Sequence, residues 1–435
     1  MYFTAGGKLK NESILPFQNM TKEGWQNLAL ASVLFFYVLQ VGFDLITHNI
    51  CGNLAVDYCA YWSTGKLISQ NGYAEMYNVN LLTGFQKNIY PESFDVVPFP
   101  YLPVFAIPFQ LLSLLNLNTS FFVWTLINLV GFIAYLIFFV KEITKITLTH
   151  KLTLLIILSL PVFWNLFLGQ VNIWLGICAG EFIREIHSNK PFRAGLWLGG
   201  LLLKPQVLVL IIPILLLQRK IKILSGFITS SIVILLISFG LINVKGTLGL
   251  INLLLGSATG GAASYPLIMM NWRMLGMHLV SFTSPIIGWS AIIVGTIVTI
   301  FATLYFFRKP IQKDFEKTVI ALLGIFAATG AVTWHAHLSM SIIFIPAMIY
   351  LYVKDRFSKK IFLLWAFMPT AIMLIIYTLA ALMKSGILPT KTVELLYLLT
   401  GLRGLSLNLI ILVWAIKENT KNPPAQESYK LGNEL

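Results

Sequence analysis

Charged residues are scarce in this sequence. Only 11% of the 435 residues are Asp, Glu, Lys or Arg, whereas soluble globular proteins carry about 25%. Hydrophobic residues make up 57% of the chain, and apolar runs of about 20 residues recur along nearly its whole length. This composition excludes a water-soluble enzyme and leaves no room for a large soluble domain. The sequence therefore predicts an all-α polytopic membrane protein.

Cysteine and acidic residues are also few. The three cysteines have no metal-binding spacing, and only Cys51 and Cys59 are placed to share a compartment, so a disulfide between them is the one pairing open. The 17 acidic residues form no carboxylate cluster of the kind that holds Mg²⁺ or Mn²⁺. We therefore predict no metal and no cofactor.

Basic residues, by contrast, are in excess and give a net charge of +14. They stand in short clusters between apolar runs, which is the pattern of cytoplasmic loops under the positive-inside rule rather than of a nucleic-acid-binding surface. Counting crossings between clusters predicts twelve membrane segments with both termini inside. They are 27–47, 121–140, 152–168, 171–187, a hairpin of two short helices over 194–218, 223–242, 286–307, 318–334, 338–353, 361–382 and 394–416.

This topology assigns two long loops to the outer face, residues 48–120 and 243–285. In the first loop, Val56–Gln70 and the proline-interrupted apolar stretch ending at Leu115 are predicted to form amphipathic helices at the outer interface. Residues 1–416 form a single transmembrane domain in this interpretation, and the polar segment 417–435 is a disordered cytoplasmic tail.

Asp57 is the most prominent of the few acidic residues on the outer side. It opens the predicted interfacial helix directly after the first membrane segment, where a carboxylate can take a proton from an acceptor hydroxyl. Its aromatic neighbours Tyr58, Tyr61 and Trp62 can anchor the helix at the membrane interface. The alternative for Asp57 is a helix N-cap.

Three cations are predicted at membrane depth or on the outer face: Lys204 at the hairpin apex, Arg273 and Arg403. Buried cations in membrane proteins are costly and usually face a functional cavity, and a lipid phosphate is a natural partner. A structural pairing is the alternative for Arg403. His335 and His337 lie at a predicted outer helix end, where their i, i+2 spacing on a helix disfavours joint metal binding and favours a hydrogen-bonding or proton-relay role.

These features together resemble glycosyltransferase family 87, a group of polyprenyl-phosphate-sugar-dependent integral membrane enzymes of the GT-C superfold. The resemblance runs from about residue 50 to residue 350. The segments that carry it are Val56-Asp57-Tyr58 through Tyr61-Trp62 with Gly65, Gly72 and Tyr77, then Pro100-Tyr101-Leu102-Pro103, Gly169-Gln170-Val171-Asn172, Ala194-Gly195 through Lys204-Pro205-Gln206, Asn271-Trp272-Arg273, and Trp334-His335-Ala336-His337-Leu338. The family often has adjacent histidines after the Trp, whereas Ala336 separates them here; we favour His337, which keeps its distance from Trp334.

The resemblance implies a GT-C bundle of about twelve transmembrane or re-entrant helices and an inverting transfer on the outer face of the plasma membrane. It implies that one sugar, a hexose such as mannose, moves from a polyprenyl-phosphate donor to an envelope glycolipid or glycan. Asp57 would be the base with His337 or His335 assisting, and Lys204, Arg273 and Arg403 would bind the donor phosphate. The residues expected to contact sugar or acceptor are Tyr58, Tyr61, Trp62, Gln170, Asn172, Asn271 and Trp272.

Two other functions remain open at this stage. A flippase or transporter of lipid-linked sugars would use the same basic cavity, but it would spread polar residues through the bundle and would not need a carboxylate at the outer interface. A glycan polymerase or ligase would act on the same face with a diphosphate-linked donor. The sequence contains no convincing internal repeat of the kind that underlies many transporters.

Overall fold

The computed structural model of the protein describes residues 21–47, 51–52, 55–89, 97–258, 267, 269–309, 314–366 and 391–421, and every regular element in these ranges is helical. The α-helices are α1 Lys22–Ile46, α2 Val56–Asn71, α3 Val79–Ile89, α4 Ile107–Leu112, α5 Leu117–Thr144, α6 His150–Ile157, α7 Leu160–Leu168, α8 Asn172–His187, α9 Pro191–Gly200, α10 Ile211–Leu217, α11 Ile221–Ala258, α12 Trp272–Phe282, α13 Pro285–Phe307, α14 Phe315–Val332, α15 Ile345–Val353 and α16 Lys391–Thr420. Short 3₁₀ segments are Tyr73–Glu75, Pro103–Ala106, Leu201–Leu203, Pro205–Leu208 and Leu338–Phe344.

The multi-pass, all-helical class predicted from composition is confirmed, but the count of twelve spans is not. Among the described residues, six helices are long and apolar enough to cross a membrane: α1, α5, α11, α13, α14 and α16. The pair α6 and α7, bent by 56° at its break, raises the number to seven if it counts as one span. The predicted crossing at 361–382 lies outside the described residues beyond residue 366.

Two other predicted crossings, 171–187 and 338–353, are too short to count as single spans. The segment 338–353 begins with a 3₁₀ turn and is almost wholly buried. The segment 194–218, predicted as a hairpin of two short helices, is broken at Lys204, which lies between the 3₁₀ turns Leu201–Leu203 and Pro205–Leu208. The helix α8 has 16 residues and carries Glu181, Arg184 and Glu185 in its last turns, where Arg184 pairs with both carboxylates. Such segments can lie inside the bundle because neighbouring helices, rather than lipid, surround them.

The predicted outer loop 243–285 contains two helical stretches that the apolar runs did not reveal. Helix α11 continues to Ala258 past a kink at Asn243, whose φ of 52° interrupts the regular backbone. Helix α12 begins after Asn271, whose side chain caps it by accepting a hydrogen bond from the backbone N–H of Met274 at 2.9 Å. Two of the segments predicted as connecting loop are therefore ordered helices.

The predicted interfacial helix Val56–Gln70 matches α2 in its bounds but not in its surroundings. Ten of its sixteen residues are buried, and it contacts α3, α4, α5 and α7. The helices that contact α2 cover the apolar side chains that the sequence alone placed at the membrane surface.

Close contacts at small residues join two other helix pairs, α9 with α11 and α14 with α16. In the α9–α11 pair, a Cβ at Gly195 would collide with the backbone of Ile223, and one at Gly226 with the backbone of Phe192. In the α14–α16 pair, Gly324 lies against Ala415. Small residues let helix backbones approach closely in membranes, where van der Waals packing drives association. Lys204 follows α9 in the chain, and His335 and His337 follow α14. These contacts therefore hold the two helices that lead to the predicted site residues.

Candidate active site

Asp57 lies in the first turn of α2, and its carboxylate does not cap the helix. The N-cap residue is Ala55, with a φ of 59° and no side-chain hydrogen bond. The backbone N–H of Ala55 donates to the carbonyl of Phe167 at 2.9 Å, which ties the start of α2 to α7. A disulfide joins Cys51 to Cys59 across the same turn. The chain is therefore fixed on both sides of Asp57, and the N-cap alternative does not describe its environment.

The turn that faces Asp57 begins at the end of α7. Gly169 caps this helix with a φ of 71°, and Gln170 N–H donates to the carbonyl of Asn165 at 2.8 Å. A Cβ at position 169 would lie 2.5 Å from the Cβ of Tyr58, so only glycine fits here. The Trp124 indole N–H donates to the Gly169 carbonyl at 2.9 Å. These contacts set Gln170 at a fixed place beside α2.

A hydrogen-bonded chain of side chains starts at the Asp57 carboxylate. Gln170 Nε2 donates to Asp57 Oδ2 at 2.6 Å, and Asn172 Nδ2 donates to Gln170 Oε1, also at 2.6 Å. Ser339 Oγ donates to the same Gln170 oxygen and accepts from Asn172 Nδ2 at 2.9 Å. Gln170, Asn172 and Ser339 are buried, whereas Asp57 is partly exposed. The structure therefore brings two distant chain segments, 170–172 and the one that contains Ser339, to the Asp57 carboxylate.

Lys204 supplies positive charge to the same place. It lies at the predicted break of the 194–218 segment, between two 3₁₀ turns, and is 6% exposed. Its Nζ lies 6.0 Å from the centroid of the Tyr101 ring, and the Tyr101 hydroxyl is 3.1 Å from that of Tyr61. The charge of Lys204 lowers the pKa of Asp57. The cation and the base predicted from sequence thus share one environment.

The two histidines lie in a non-helical turn rather than on a helix end, which corrects the geometry assumed from sequence. The ring centroids of His335 and His337 are 4.4 Å apart with the planes nearly perpendicular. The Arg273 guanidinium stacks over the ring of Trp334 at 4.1 Å and donates to the Trp334 carbonyl at 3.3 Å. The turn therefore joins the second predicted phosphate ligand, Arg273, to the histidine pair.

Burial and neighbouring charges shift the pKa values of these groups. Burial raises the pKa of Asp57 above its usual value, although the Gln170 hydrogen bond and Lys204 lower it. Burial, with Lys204 and Arg273 nearby, lowers the pKa of His335 to about 4. Burial, His335 and Lys204 lower the pKa of His337 well below its usual value. At neutral pH both imidazoles are therefore uncharged, and Asp57 binds a proton more readily than an exposed aspartate.

Four of the predicted sugar-contacting residues have packing contacts instead of open faces. Tyr58 is fully buried against Phe109 and Trp124, and the indole N–H of Trp62 donates to the carbonyl of Leu115 at 3.1 Å. Asn271 is the cap of α12, and the indole N–H of Trp272 donates to Thr299 Oγ1 at 3.0 Å. Contact of these four side chains with sugar or acceptor stays a prediction.

Arg403 is the predicted cation that the structure does not connect to this site. It lies on α16 with 6% exposure, and its Nε and Nη1 atoms have no hydrogen-bond partner in the described part of the chain. No interaction found within that part links it to Asp57, Lys204 or the histidines. Its role as a phosphate ligand stays a prediction.

Sequence reasoning missed Ser339 and the part that Tyr101 plays. Ser339 stands two residues after His337, and nothing in its residue type marks it. The sequence singled out Tyr101 only as part of the Pro100–Pro103 segment. The fold shows that the Tyr101 ring faces Lys204 Nζ and that the Tyr101 carbonyl accepts a hydrogen bond from the Tyr77 hydroxyl at 2.5 Å. Within the described ranges, no group of three or more His, Cys, Asp or Glu side chains is placed to hold a metal ion.

Comparison with known proteins identifies a family. The family model described as glycosyltransferase family 87 matches residues 99–331, more than half of the chain. No curated protein and no solved structure matches. The matched range includes Gln170, Lys204 and Arg273, whereas Asp57 precedes it and the histidine turn follows it. In the structure, Asp57 contacts Gln170, and the turn that contains the histidines contacts Arg273. Both groups therefore lie next to residues of the matched range.

Proposed function

Because this chain belongs to glycosyltransferase family 87, we propose that it transfers one hexose, such as mannose, from a polyprenyl-phosphate donor to an envelope glycolipid or glycan. The reaction takes place on the outer face of the plasma membrane and inverts the anomeric centre. The observation that carries this proposal is the Asp57 carboxylate, which is held by Gln170 on one oxygen and lies in the field of the buried Lys204.

The acceptor half of the reaction requires a base. No residue in the described chain donates a hydrogen bond to Asp57 Oδ1, so this oxygen is free to accept the proton of an acceptor hydroxyl. As that proton moves to Asp57, the hydroxyl oxygen forms a bond to the anomeric carbon from the face opposite the phosphate. A raised pKa makes Asp57 a stronger base than an exposed aspartate.

The donor half of the reaction requires stabilisation of a leaving phosphate. The bond between the anomeric carbon and the phosphate oxygen breaks, and the polyprenyl phosphate leaves with one more negative charge than it carried in the donor. Lys204 and Arg273 are the two cations on the side of the site where His335 and His337 lie. Fixed positive charge aimed at developing negative charge is a large source of rate enhancement.

The histidine pair supports this assignment as an uncharged hydrogen-bonding group. Because both pKa values are lowered, neither ring competes with Lys204 and Arg273 as a cation, and neither repels them strongly at neutral pH. Each neutral imidazole presents one N–H donor and one acceptor nitrogen. We assign to His337, and secondarily to His335, the orientation of a donor oxygen near the phosphate.

The disulfide supports the outer-face location. Disulfides persist in oxidising compartments and are rare where cytosolic thiol systems keep cysteines reduced. Cys59 follows Asp57 by two residues on α2, and the disulfide joins it to Cys51, which precedes the helix. The nearby disulfide therefore supports an outer-face position for Asp57, where lipid-linked donors and envelope acceptors would both reach it.

The test is to incubate the purified protein in lipid nanodiscs with a panel of polyprenyl-phosphate sugars and to measure sugar transfer or slow hydrolysis. We expect one donor to be consumed by the wild-type protein and not by Asp57→Asn. Consumption of diphosphate-linked glycans alone would favour the ligase alternative. Movement of lipid-linked sugar across proteoliposomes, unaffected by Asp57→Asn and without chemical change, would favour the flippase and contradict the proposal.

A further inference from the structure

We infer that Gln170 is a positioning residue that holds Asp57 as an ionised acceptor with one oxygen left open to the substrate. This inference rests on the proposed function, in which Asp57 is the base. It differs from the expectation drawn from sequence, which placed Gln170 among the residues that contact sugar. The reason lies in how both ends of the Gln170 amide are used.

The Gln170 amide has no polar capacity left for a sugar on its oxygen. A glutamine oxygen accepts two hydrogen bonds, and Oε1 already receives them from Asn172 Nδ2 and Ser339 Oγ. An ionised carboxylate can only accept, so the amide must present Nε2 to Asp57, as the 2.6 Å contact shows. Asn172 and Ser339 therefore set the direction in which Gln170 donates.

The backbone around Gln170 is fixed well enough for this role. Gly169 packs against Tyr58, and its carbonyl accepts from Trp124, so the turn cannot shift along α2. The bond from Ala55 N–H to the Phe167 carbonyl joins the two segments a second time. Asp57 and Gln170 thus belong to one rigid unit, and the amide can control which carboxylate oxygen is occupied.

Removal of the amide should change how Asp57 titrates as well as where it points. Three charged or titratable groups face Asp57 from the surrounding segments: Lys204 attracts its charged form, and the hydroxyls of Tyr61 and Tyr101 lie in its field. These groups stay in a Gln170 variant, while the hydrogen bond that favours the ionised form is lost. The loss of this hydrogen bond should therefore raise the pKa of Asp57 further.

The experiment compares Gln170→Met with Gln86→Met. Gln86 is a buried amide outside the site that bonds to Ser63 and to the Val97 carbonyl, so its variant controls for the general loss of a buried amide. For Gln170→Met we expect the acid limb of kcat/KM to move up by about one to two pH units, lower kcat and little change in donor KM. For Gln86→Met we expect the acid limb of kcat/KM to stay at its wild-type pH. An active Gln170→Met with an unmoved limb overturns the inference.

A second measurement does not depend on transfer activity. Dicyclohexylcarbodiimide labels protonated carboxyl groups, and peptide mass spectrometry reads the labelling of Asp57 at each pH in wild type and variants. We expect labelling to persist to higher pH in Gln170→Met and further still in the isosteric Gln170→Glu, where a second carboxylate repels the charge of Asp57. Gln170→Glu also serves if Gln170→Met does not fold. Shifted labelling without transfer in any sample would refute the proposed function and support only the part of the inference in which Gln170 controls the titration of Asp57. Identical labelling profiles in wild type and Gln170→Glu would refute the inference itself.

Discussion

Replacement of Asp57 by Asn separates the chemical role of the carboxylate from its structural role. Asparagine keeps the size of the side chain, and its oxygen can still accept the hydrogen bond from Gln170 Nε2. The contacts of Gln170 with Asn172 and Ser339 need not change. What the variant loses is the ability to take a proton from the acceptor hydroxyl.

The magnitude of the loss follows from the role of a base. General bases contribute about 10²–10⁴-fold to such steps, so turnover of Asp57→Asn should fall by that factor, equivalent to roughly 3–5 kcal/mol of transition-state stabilisation. The free energy of unfolding of Asp57→Asn, by contrast, should stay the same or rise at neutral pH. Because burial raises the pKa of Asp57 in the folded protein, folding favours the protonated form, and this stabilisation is lost as the pH rises through the folded-state pKa. At neutral pH the ionised carboxylate therefore weakens the fold, and a neutral Asn relieves that cost.

The assay measures three quantities on the same nanodisc preparation: turnover, donor affinity and thermal unfolding. We expect turnover at least a hundredfold below wild type, donor affinity near wild type and an unfolding temperature equal or higher. Turnover near the wild-type value would refute Asp57 as the base. The remaining outer acidic candidates would then be Asp44, which is buried on α1 beside Gln40, Glu75, which is paired with Lys245, and Asp95, which lies outside the described residues.

Three further predictions address the other parts of the site. Lys204→Ala should weaken donor binding at least tenfold, because a charged hydrogen bond to an anion contributes on the order of 1.5–3 kcal/mol. Lys222→Ala, at an exposed lysine, is the control, and equal donor affinities in the two variants would contradict the assignment of Lys204 to the phosphate. Cys51→Ser should lower the free energy of unfolding by on the order of 2–3 kcal/mol and reduce turnover, while Cys178→Ser should not reduce turnover. Wild-type stability and turnover in Cys51→Ser would show that the disulfide does not hold the turn that contains Asp57. His337→Ala should depress turnover by the same factor across the neutral pH range, because its pKa lies well below the usual value, and a loss that depends on pH near 6.5 would contradict this.

The sequence by itself determined the class of the protein and pointed to most of the candidate site residues. Long apolar runs with few charges require helices in a membrane, because each backbone polar group must be satisfied within the segment. Asp57, Lys204 and the histidine pair were visible for a related reason. Ionisable groups are costly beside a bilayer, so the few that occur near predicted helix ends stand out against an apolar background.

Only the tertiary structure decided how many apolar runs form long helices and what each site residue contacts. Hydropathy cannot tell a lipid-facing run from one surrounded by protein, which is why the segment 338–353 is predicted to cross the membrane although it begins with a 3₁₀ turn and is almost wholly buried. For the same reason the sequence predicts that the aromatic residues of α2 lie at the membrane interface. In the structure, Tyr58 is instead buried against Gly169. The bond from Gln170 to Asp57 joins residues 113 positions apart, and Ser339 meets Gln170 across 169 positions. Contacts of that range depend on how whole helices pack, and no local pattern of residues encodes them.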